Sequence, residues 1–265
     1  MEGPQTRALA EHLNETITGK PVQRILVPEN RWQANVLMLN CVGHAIQRVR
    51  SHGKWLFFDF SHGVTWLCQL ITKAKWTVLF EEGEPKKRAL ITLQLRDRVA
   101  VLTGRPIIYI LPSDKVASHP EVKAMGPDPL STATFQDDFP YRLRQLPHRT
   151  LAAALLDQEV VAGIGNMLKC EILHTSCFSP TLRVGAMLAS QIDSLAGTLV
   201  ELLTAAATFA IKGQPYPYRV YDRAGLPCEI CGTEITADRS GQDGRLTWHC
   251  RTCQTVGREP TLFQP

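Results

Sequence analysis

Four cysteines near the end of the chain constrain its fold more than any other feature. Cys228 and Cys231 form one Cys-x2-Cys pair, Cys250 and Cys253 form a second, and 18 residues separate the two pairs. Each pair presents two sulfurs from one tight turn, and a tetrahedral Zn²⁺ joins two such turns into a structural site. Two redox dithiols are the alternative, but they require a thioredoxin-like βαβ context that the sequence lacks. The spacing therefore predicts one structural zinc ion.

The residues between the two cysteine pairs predict a β-hairpin. Residues 240–244 are typical of a turn, and Arg245 follows them directly. An arginine held at a hairpin tip by a metal-stabilised fold is well placed to enter a groove or to bind a phosphate. The simpler interpretation is that Arg245 is solvated, as most surface arginines are.

Length and composition limit the classes to which the chain can belong. It has 265 residues, of which 44% are hydrophobic and 20% are charged, with a formal net charge of +4. This length predicts one or two globular domains, and the hydrophobic fraction excludes wholesale disorder. We find no run of about 18 apolar residues and no basic start followed by an apolar stretch, and so expect neither a membrane span nor a signal peptide. We expect a cytosolic protein, or a nuclear one if the source is eukaryotic; the charge permits a polyanionic partner without requiring one.

The secondary-structure pattern changes once along the chain, near residue 130. Residues 1–20 predict a helix that ends at Gly19, and short strand-like runs separated by turns extend from Pro21 to about Leu111. That spacing is typical of a sandwich or a barrel. Helical patterns then follow over residues 150–156, 167–174 and 185–211. The remaining cysteines have no metal-ligand spacing and are predicted to be buried thiols: Cys41, Cys68, Cys170 and Cys177.

A turn suited to anions precedes one of the predicted helices. Gly163-Ile164-Gly165-Asn166 leads directly into the helix over residues 167–174. Two glycines let the backbone approach a ligand closely, and free N–H groups at a helix N-terminus are able to hold a phosphate, assisted by the Asn166 side chain. Taken alone, this motif is weak.

Together with the cysteine pairs, the turn makes the chain resemble the formamidopyrimidine-DNA glycosylase/endonuclease VIII family of base-excision repair enzymes. Matching segments occur in order along nearly the whole chain: Glu2-Gly3-Pro4, Gly53-Lys54, Gly126-Pro127-Asp128, residues 155–171, Val220-Tyr221 and residues 228–254. The resemblance implies a two-domain α+β fold, with an N-terminal β-sandwich flanked by helices over residues 1–130. A helix-two-turns-helix domain over residues 131–217 and a zinc-finger hairpin over residues 218–265 would follow. The implied partner of this monomeric enzyme is double-stranded DNA with a damaged or abasic site.

The resemblance also assigns roles to single residues. Lys54 and Asn166 would contact the DNA backbone around the lesion, and Arg245 would hold a phosphate there. Glu171 matches a family position that supports the N-terminus.

Two segments of the sequence bear on how a damaged base would be flipped out of the duplex and on which base would be accepted. Gln69, Leu70 and Ile71 look like the endonuclease VIII triplet that fills the space left by a flipped nucleotide, although without the resemblance they predict a plain strand end. Residues 212–218 form only a short connection before a predicted strand over residues 218–221, which favours the endonuclease VIII side and oxidised pyrimidines. A connection this short would cover an everted base only partly, and so would equally admit a bulky adduct. The basic run Lys86-Lys87-Arg88 is either DNA-facing or a solvated turn.

The catalytic terminus departs from the family pattern. Family members attack C1′ of the damaged nucleotide with the amine of an N-terminal proline, and the following glutamate supplies or relays protons. Here Glu2 and the residues after it are in place, but Met1 occupies the position of the proline. A primary amine forms an imine that must be protonated before it acts as an electron sink, so the elimination step is expected to be the weaker one. Gln5 stands where endonuclease VIII relatives usually carry an acid.

Three interpretations therefore remain open from the sequence. The first is an active glycosylase that uses the Met1 amine, or a water activated by Glu2, with weak or absent lyase activity. The second is a binder of damaged or modified DNA that has lost catalysis. The third is a bifunctional enzyme in which Lys54 or another amine replaces the proline.

Overall fold

The chain folds into two compact units. The computed structural model describes residues 1–27, 38, 40–71, 73–80, 89–241 and 243–255. Residues 5–123 together with Met1 form the first unit, and residues 124 onward together with Glu2–Pro4 form the second. The basic run Lys86-Lys87-Arg88 lies outside the described residues.

The strands of the first unit are β1 Arg24–Leu26, β2 Ile46–His52, β3 Trp55–Phe60, β4 Val64–Gln69, β5 Lys75–Phe80, β6 Ala89–Gln94, β7 Arg98–Thr103 and β8 Ile107–Pro112. They form two four-stranded antiparallel sheets, with strand orders β1-β6-β7-β5 and β2-β3-β4-β8. Leu56 and Phe58 of one sheet share a buried core with Ile91 and Leu93 of the other. Two sheets that enclose one core form a sandwich, as predicted.

The N-terminal helix α1 spans Gly3–Ile17. Leu13 and Ile17 are four residues apart on one face, and both are fully buried in the sandwich core. Gly19 adopts φ +76, the left-handed conformation that commonly ends a helix. The predicted helix over residues 1–20 is thus confirmed.

The second unit is helical and ends in a hairpin. Helix α2, Pro120–Ala124, belongs to the first unit except for its last residue. The helices of the second unit are α3 Phe135–Arg144, α4 Leu151–Leu156, α5 Asn166–Thr175 and α6 Ala189–Ile211, and its hairpin strands are β9 Ile235–Asp238 and β10 Thr247–Cys250. Short 3-10 turns span Ser113–Ser118 and Val184–Ala186. Helices α3 to α6 share one buried apolar core. The predicted α+β class, with N-terminal sheets and C-terminal helices, is confirmed.

Helix α3 was not expected from the sequence. Pro140 lies inside it and cannot donate a backbone hydrogen bond, which makes the segment look like a helix break. Phe135 and Phe139 compensate, because their rings stack with centroids 5.4 Å apart and both are buried in the helical core. Tertiary packing therefore overrides the local penalty.

Helix α6 bears on the expectation that no membrane span exists. Among the described residues it is the one helix long and apolar enough to cross a membrane, with a mean hydropathy of 1.6. Interspersed Ser, Thr and Gly residues break its apolar runs, which is why the sequence showed no continuous stretch. Core helices of soluble proteins meet the same criterion, and Leu195, Leu199 and Leu203 pack in the helical core.

Candidate nucleic-acid interface and catalytic terminus

The carboxylate of Glu2 is bound at the N-terminus of helix α5. Oε1 accepts a hydrogen bond of 3.0 Å from the Met167 amide, and Oε2 accepts one of 3.1 Å from the Leu168 amide. The residue is only 5% exposed. Two first-turn amides and the positive end of the helix dipole together stabilise the negative charge on this carboxylate.

Glycines make room for this arrangement. A Cβ placed on Gly165 would lie 2.6 Å from Cδ of Glu2, closer than side-chain carbons approach other atoms. The Gly3 amide donates to the Gly163 carbonyl over 2.8 Å, and a Cβ on Gly3 would lie 3.0 Å from Gly163 Cα. The Gly-x-Gly motif is therefore required here for close approach of the N-terminal segment.

This geometry corrects the predicted role of the turn. The sequence predicted that free amides of the helix end would hold a phosphate, but the Glu2 carboxylate already occupies those of Met167 and Leu168. Asn166 Nδ2 donates instead to the Leu246 carbonyl over 2.9 Å. The sequence could not reveal this, since Glu2 lies more than 160 residues from its partners along the chain.

The four C-terminal cysteines come together as their spacing predicts. Their sulfurs all lie within 4.8 Å of one another, with Sγ separations of 3.8 Å for Cys228 and Cys253 and 3.5 Å for Cys231 and Cys250. Tetrahedral coordination with bonds of about 2.3 Å places sulfurs about 3.8 Å apart, so this set of four thiols fits a zinc ion. His174 lies against the cluster, with Nε2 3.5 Å from Cys228 Sγ.

The hairpin beside this cluster is attached to helix α5 by a buried ion pair. Lys169 is fully buried, and its Nζ lies 2.7 Å from Oδ2 of Asp243 and 2.7 Å from the Thr247 hydroxyl. The other oxygen of Asp243 accepts a 2.8 Å hydrogen bond from the Arg245 amide. This pair was missed by the sequence analysis, because nothing in the sequence pairs a helical lysine with one particular aspartate.

A second attachment holds the other side of the hairpin tip. The Thr150 hydroxyl donates to the Gly241 carbonyl, and a Cβ on Gly241 would lie 2.8 Å from Cβ of Ala152. Arg245 itself is exposed at the tip. Because Asn166 contacts the neighbouring Leu246 carbonyl, the structure brings Asn166 and Arg245 close together. The predicted β-hairpin is confirmed.

Glu171 organises a different segment from the one expected. Its carboxylate is buried and accepts hydrogen bonds from three successive amides, those of Arg219 at 2.9 Å, Val220 at 3.0 Å and Tyr221 at 2.9 Å. The prediction that Glu171 supports the N-terminus is not borne out by these contacts. The predicted strand over residues 218–221 is also wrong, since one carboxylate, rather than a neighbouring strand, binds these amides.

Tyr218 directly precedes the three residues whose amides bind Glu171. Its hydroxyl donates to the Met167 sulfur over 3.4 Å. Burial, together with the smaller effect of the negative charges on Glu2 and Glu171, raises the pKa of Tyr218 to about 12. The phenol is therefore neutral at physiological pH and lies within electrostatic reach of the Glu2 carboxylate.

The remaining predicted site residues belong to the first unit. Gly53 and Lys54 form the two-residue turn between β2 and β3, with Gly53 at φ +55, and this turn presents a half-buried Lys54. Gln69 ends β4, and Ile71 is 40% exposed. Leu70 is buried in the sandwich core, so its side chain is not available for insertion in this conformation.

The predicted buried thiols are confirmed for Cys41, Cys68 and Cys170. Burial raises the pKa of Cys170 to about 11 and that of Cys68 to about 12, which makes both unreactive. Cys177 is exposed, contrary to prediction, because it lies in a turn after α5 with φ +57.

Comparison with known proteins identifies two domain models from one family. Residues 1–105 match the formamidopyrimidine-DNA glycosylase N-terminal domain, and residues 125–214 match the formamidopyrimidine-DNA glycosylase H2TH domain. Endonuclease 8 of Escherichia coli O17:K52:H18 (strain UMN026 / ExPEC) is 28% identical, over 96% of this chain and 99% of the relative. Endonuclease 8 of Escherichia coli O9:H4 (strain HS) has the same identity and coverage.

Solved structures show the same fold. Lactococcus lactis formamidopyrimidine-DNA glycosylase, non-covalently bound to DNA containing an AP site, aligns with a TM-score of 0.84 at 22% identity, covering 96% of this chain and 100% of that one. The wild-type Lactococcus lactis protein in complex with DNA containing an oxidized pyrimidine aligns with a TM-score of 0.84 at 23% identity and equal coverage. The two domain models lie in order and together match most of the sequence. The chain belongs to the formamidopyrimidine-DNA glycosylase/endonuclease VIII family of DNA glycosylases.

Proposed function

We propose that this protein is an endonuclease VIII-type glycosylase that removes an oxidised pyrimidine from duplex DNA with the α-amine of Met1 as its nucleophile. The relatives named above are Endonuclease 8 proteins of a bacterium, and structural neighbours are bound to abasic or damaged DNA. We propose a cytoplasmic location on the same basis.

The observation that carries the proposal is the binding of Glu2 to the α5 amides. This contact fixes the residue next to Met1, while Met1 itself is 47% exposed. An anchored neighbour and an accessible amine are the features that a terminal nucleophile needs, because the amine must reach a sugar carbon in a defined geometry.

The proposed reaction starts at C1′ of the damaged nucleotide. The lone pair of the Met1 amine forms a bond to C1′, the glycosidic bond breaks, and the base leaves with the bonding electrons and takes up a proton. Positive charge develops on the sugar as this bond breaks. The Glu2 carboxylate, held as an anion by the helix end, is the group that stabilises this charge and accepts a proton from the attacking amine.

Strand cleavage is the weaker activity in this proposal. The C1′–O4′ bond then breaks and opens the sugar ring: O4′ takes up a proton, the attached nitrogen of Met1 gives one up, and an imine results. Loss of a C2′ proton from the protonated imine expels the 3′ phosphate. A proline adduct is always cationic, whereas the imine of Met1 becomes an electron sink only after protonation. Gln5 offers no carboxylate for that proton transfer. We therefore expect base release to exceed strand cleavage.

DNA binding is assigned to residues of both units. In the second unit, Arg245 and Asn166 lie together beside the anchored hairpin. Arg245 would contact a phosphate, and so would the second Nδ2 hydrogen of Asn166, since the first is donated to the Leu246 carbonyl. In the first unit, Lys54 at its turn would bind the backbone. Ile71 and Gln69 would enter the space left by the flipped nucleotide, with Leu70 as their anchor in the core.

We propose Zn²⁺ as the ion held by Cys228, Cys231, Cys250 and Cys253. The sulfur spacing and the all-thiolate donor set support zinc over harder cations, which prefer oxygen ligands. Four protein ligands leave no open coordination position, so the ion would hold the hairpin together and supply no catalytic step.

The substrate class is tested with a panel of duplexes that contain thymine glycol, dihydrouracil, 5-hydroxycytosine, 8-oxoguanine or a bulky crosslink. We expect base release from the oxidised pyrimidines, and we expect Glu2→Gln to slow it by 100-fold or more, which is the order of magnitude for loss of a general acid or base. Glu15→Gln is the matched control, because Glu15 is an exposed carboxylate on helix α1. Binding to these duplexes without base release would instead identify a lesion-binding protein that has lost catalysis.

A further inference from the structure

A continuous series of aromatic rings leads from the end of helix α6 to the hairpin. Phe209, Tyr216, Tyr218, Tyr221 and Trp248 contact one another in that order, with centroid separations of 5.7, 5.3, 5.5 and 4.6 Å. We call these five residues the aromatic ladder. All neighbouring pairs are tilted or edge-to-face, the arrangements that aromatic rings prefer.

The ladder is rigid at its centre. Glu171 binds the three amides that follow Tyr218, so the backbone that carries Tyr218 and Tyr221 is fixed to helix α5. The hydroxyl of Tyr218 is fixed as well, through its hydrogen bond to Met167. A ring held at both its backbone and its hydroxyl loses little conformational entropy when a ligand stacks on it.

The ladder lies beside the catalytic carboxylate. The amide of Met167 donates to Glu2, and the sulfur of the same residue accepts from Tyr218. Tyr218 is half-buried, so the residue is partly accessible to solvent. The phenol, like that of an ordinary tyrosine, is uncharged at neutral pH, and its pKa is raised to about 12. The residue therefore presents a neutral aromatic surface next to Glu2 rather than a second anion.

We infer that Tyr218 is a specificity-determining residue whose ring stacks on the everted base next to Glu2, and that it favours oxidised pyrimidines that keep a flat aromatic ring over those saturated at C5 and C6. This inference rests on the proposed function. Stacking on an aromatic side chain requires a π face, which 5-hydroxycytosine has and dihydrouracil lacks.

The inference is tested by binding, with a 2′-fluoro sugar at the lesion so that the base is not released. Duplexes carry 5-hydroxycytosine, dihydrouracil or a tetrahydrofuran abasic analogue at the same position. The variants are Tyr218→Leu, which removes the ring, Tyr218→Phe, which keeps it, and Tyr141→Leu as a control on an exposed tyrosine outside the ladder. Zinc content and thermal unfolding are measured for each variant to detect misfolding.

We expect Tyr218→Leu to lower the affinity for the 5-hydroxycytosine duplex about tenfold more than the affinity for the other two duplexes, since stacking contributes a factor of this order per base. Tyr218→Phe and Tyr141→Leu should retain the wild-type preference. An equal loss of affinity on all three duplexes, or the same loss in Tyr218→Phe as in Tyr218→Leu, would overturn the inference.

Base release from the same duplexes with normal deoxyribose separates this inference from the proposed function. A ring-dependent binding preference without any base release refutes the proposed catalysis and leaves the stacking role standing. Base release without a ring-dependent binding preference supports the proposed catalysis and refutes the stacking role of Tyr218.

Discussion

Removal of the buried lysine that anchors the hairpin should be among the most damaging single changes in the second unit. In Lys169→Met the apolar stem is kept, but Asp243, whose side chain is 3% exposed, loses its cation, and Thr247 loses a hydrogen-bond partner. Removing one partner of a buried ion pair typically costs about 3–5 kcal/mol. We therefore expect a loss of that size in the free energy of unfolding, measured by urea denaturation with the helical circular dichroism signal.

Two further variants decide whether the ion pair is the cause. Lys20→Met is the matched control, because Lys20 and Asp97 form a pair of similar length, 2.8 Å, on the surface, where water and salt screen the charges and the pair contributes little to stability. The double variant Lys169→Met/Asp243→Leu removes both buried charges and should recover most of the lost stability.

The same variants distinguish stability from positioning of the DNA contact. The double variant still lacks the Asp243 oxygen that accepts from the Arg245 amide, so its affinity for duplex DNA should stay low after stability recovers. If Arg245 no longer reaches its phosphate, the slope of log affinity against log salt concentration should become shallower by about one, the change expected for the loss of one phosphate contact. Additive stability losses in the double variant, or full DNA affinity in the same variant, would refute this reasoning.

Three other predictions concern the metal, the glycine turn and pH. Chelation of zinc, or Cys228→Ser, should unfold the hairpin and reduce DNA affinity while the sandwich unit stays folded, as followed by the exchange of hairpin amides with solvent. Gly165→Ala should abolish base release, because the new Cβ would lie 2.6 Å from Cδ of Glu2; retained activity would contradict the anchoring role of Glu2. Because the pKa of Tyr218 is raised from 10.0 to about 12, the folded state holds the phenol proton more tightly than the unfolded chain does. The free energy of unfolding should therefore fall between about pH 10 and pH 12, and it should fall less in Tyr218→Phe.

Local signals were sufficient for several elements of the fold. The cysteine spacing predicted the four-thiol cluster, the turn residues before Arg245 predicted the hairpin, and helical periodicity together with Gly19 predicted α1. These features depend on residues close together in the sequence, or on a ligand geometry that fixes the spacing. Helix α3 was missed because Pro140 argues against it locally and only packing of its aromatic residues in the core outweighs that penalty.

The site was less predictable because its contacts join distant segments. The motif around Gly165 predicted a phosphate at the α5 terminus, but the group bound to its amides is the carboxylate of Glu2. Glu171 was singled out as important and given the wrong partner, since a buried carboxylate binds whichever amides the fold brings to it. The Lys169 and Asp243 pair had no local signature at all.

Borohydride trapping on a duplex with an abasic site tests the central claim most directly. Reduction captures the imine between the enzyme and C1′, and mass spectrometry of the trapped peptides identifies the amine involved and the residue at the N-terminus. We predict a single adduct on the α-amine of Met1, formed more slowly in Glu2→Gln and at the normal rate in Glu15→Gln. The absence of an adduct, or an adduct on Lys54, would contradict the account.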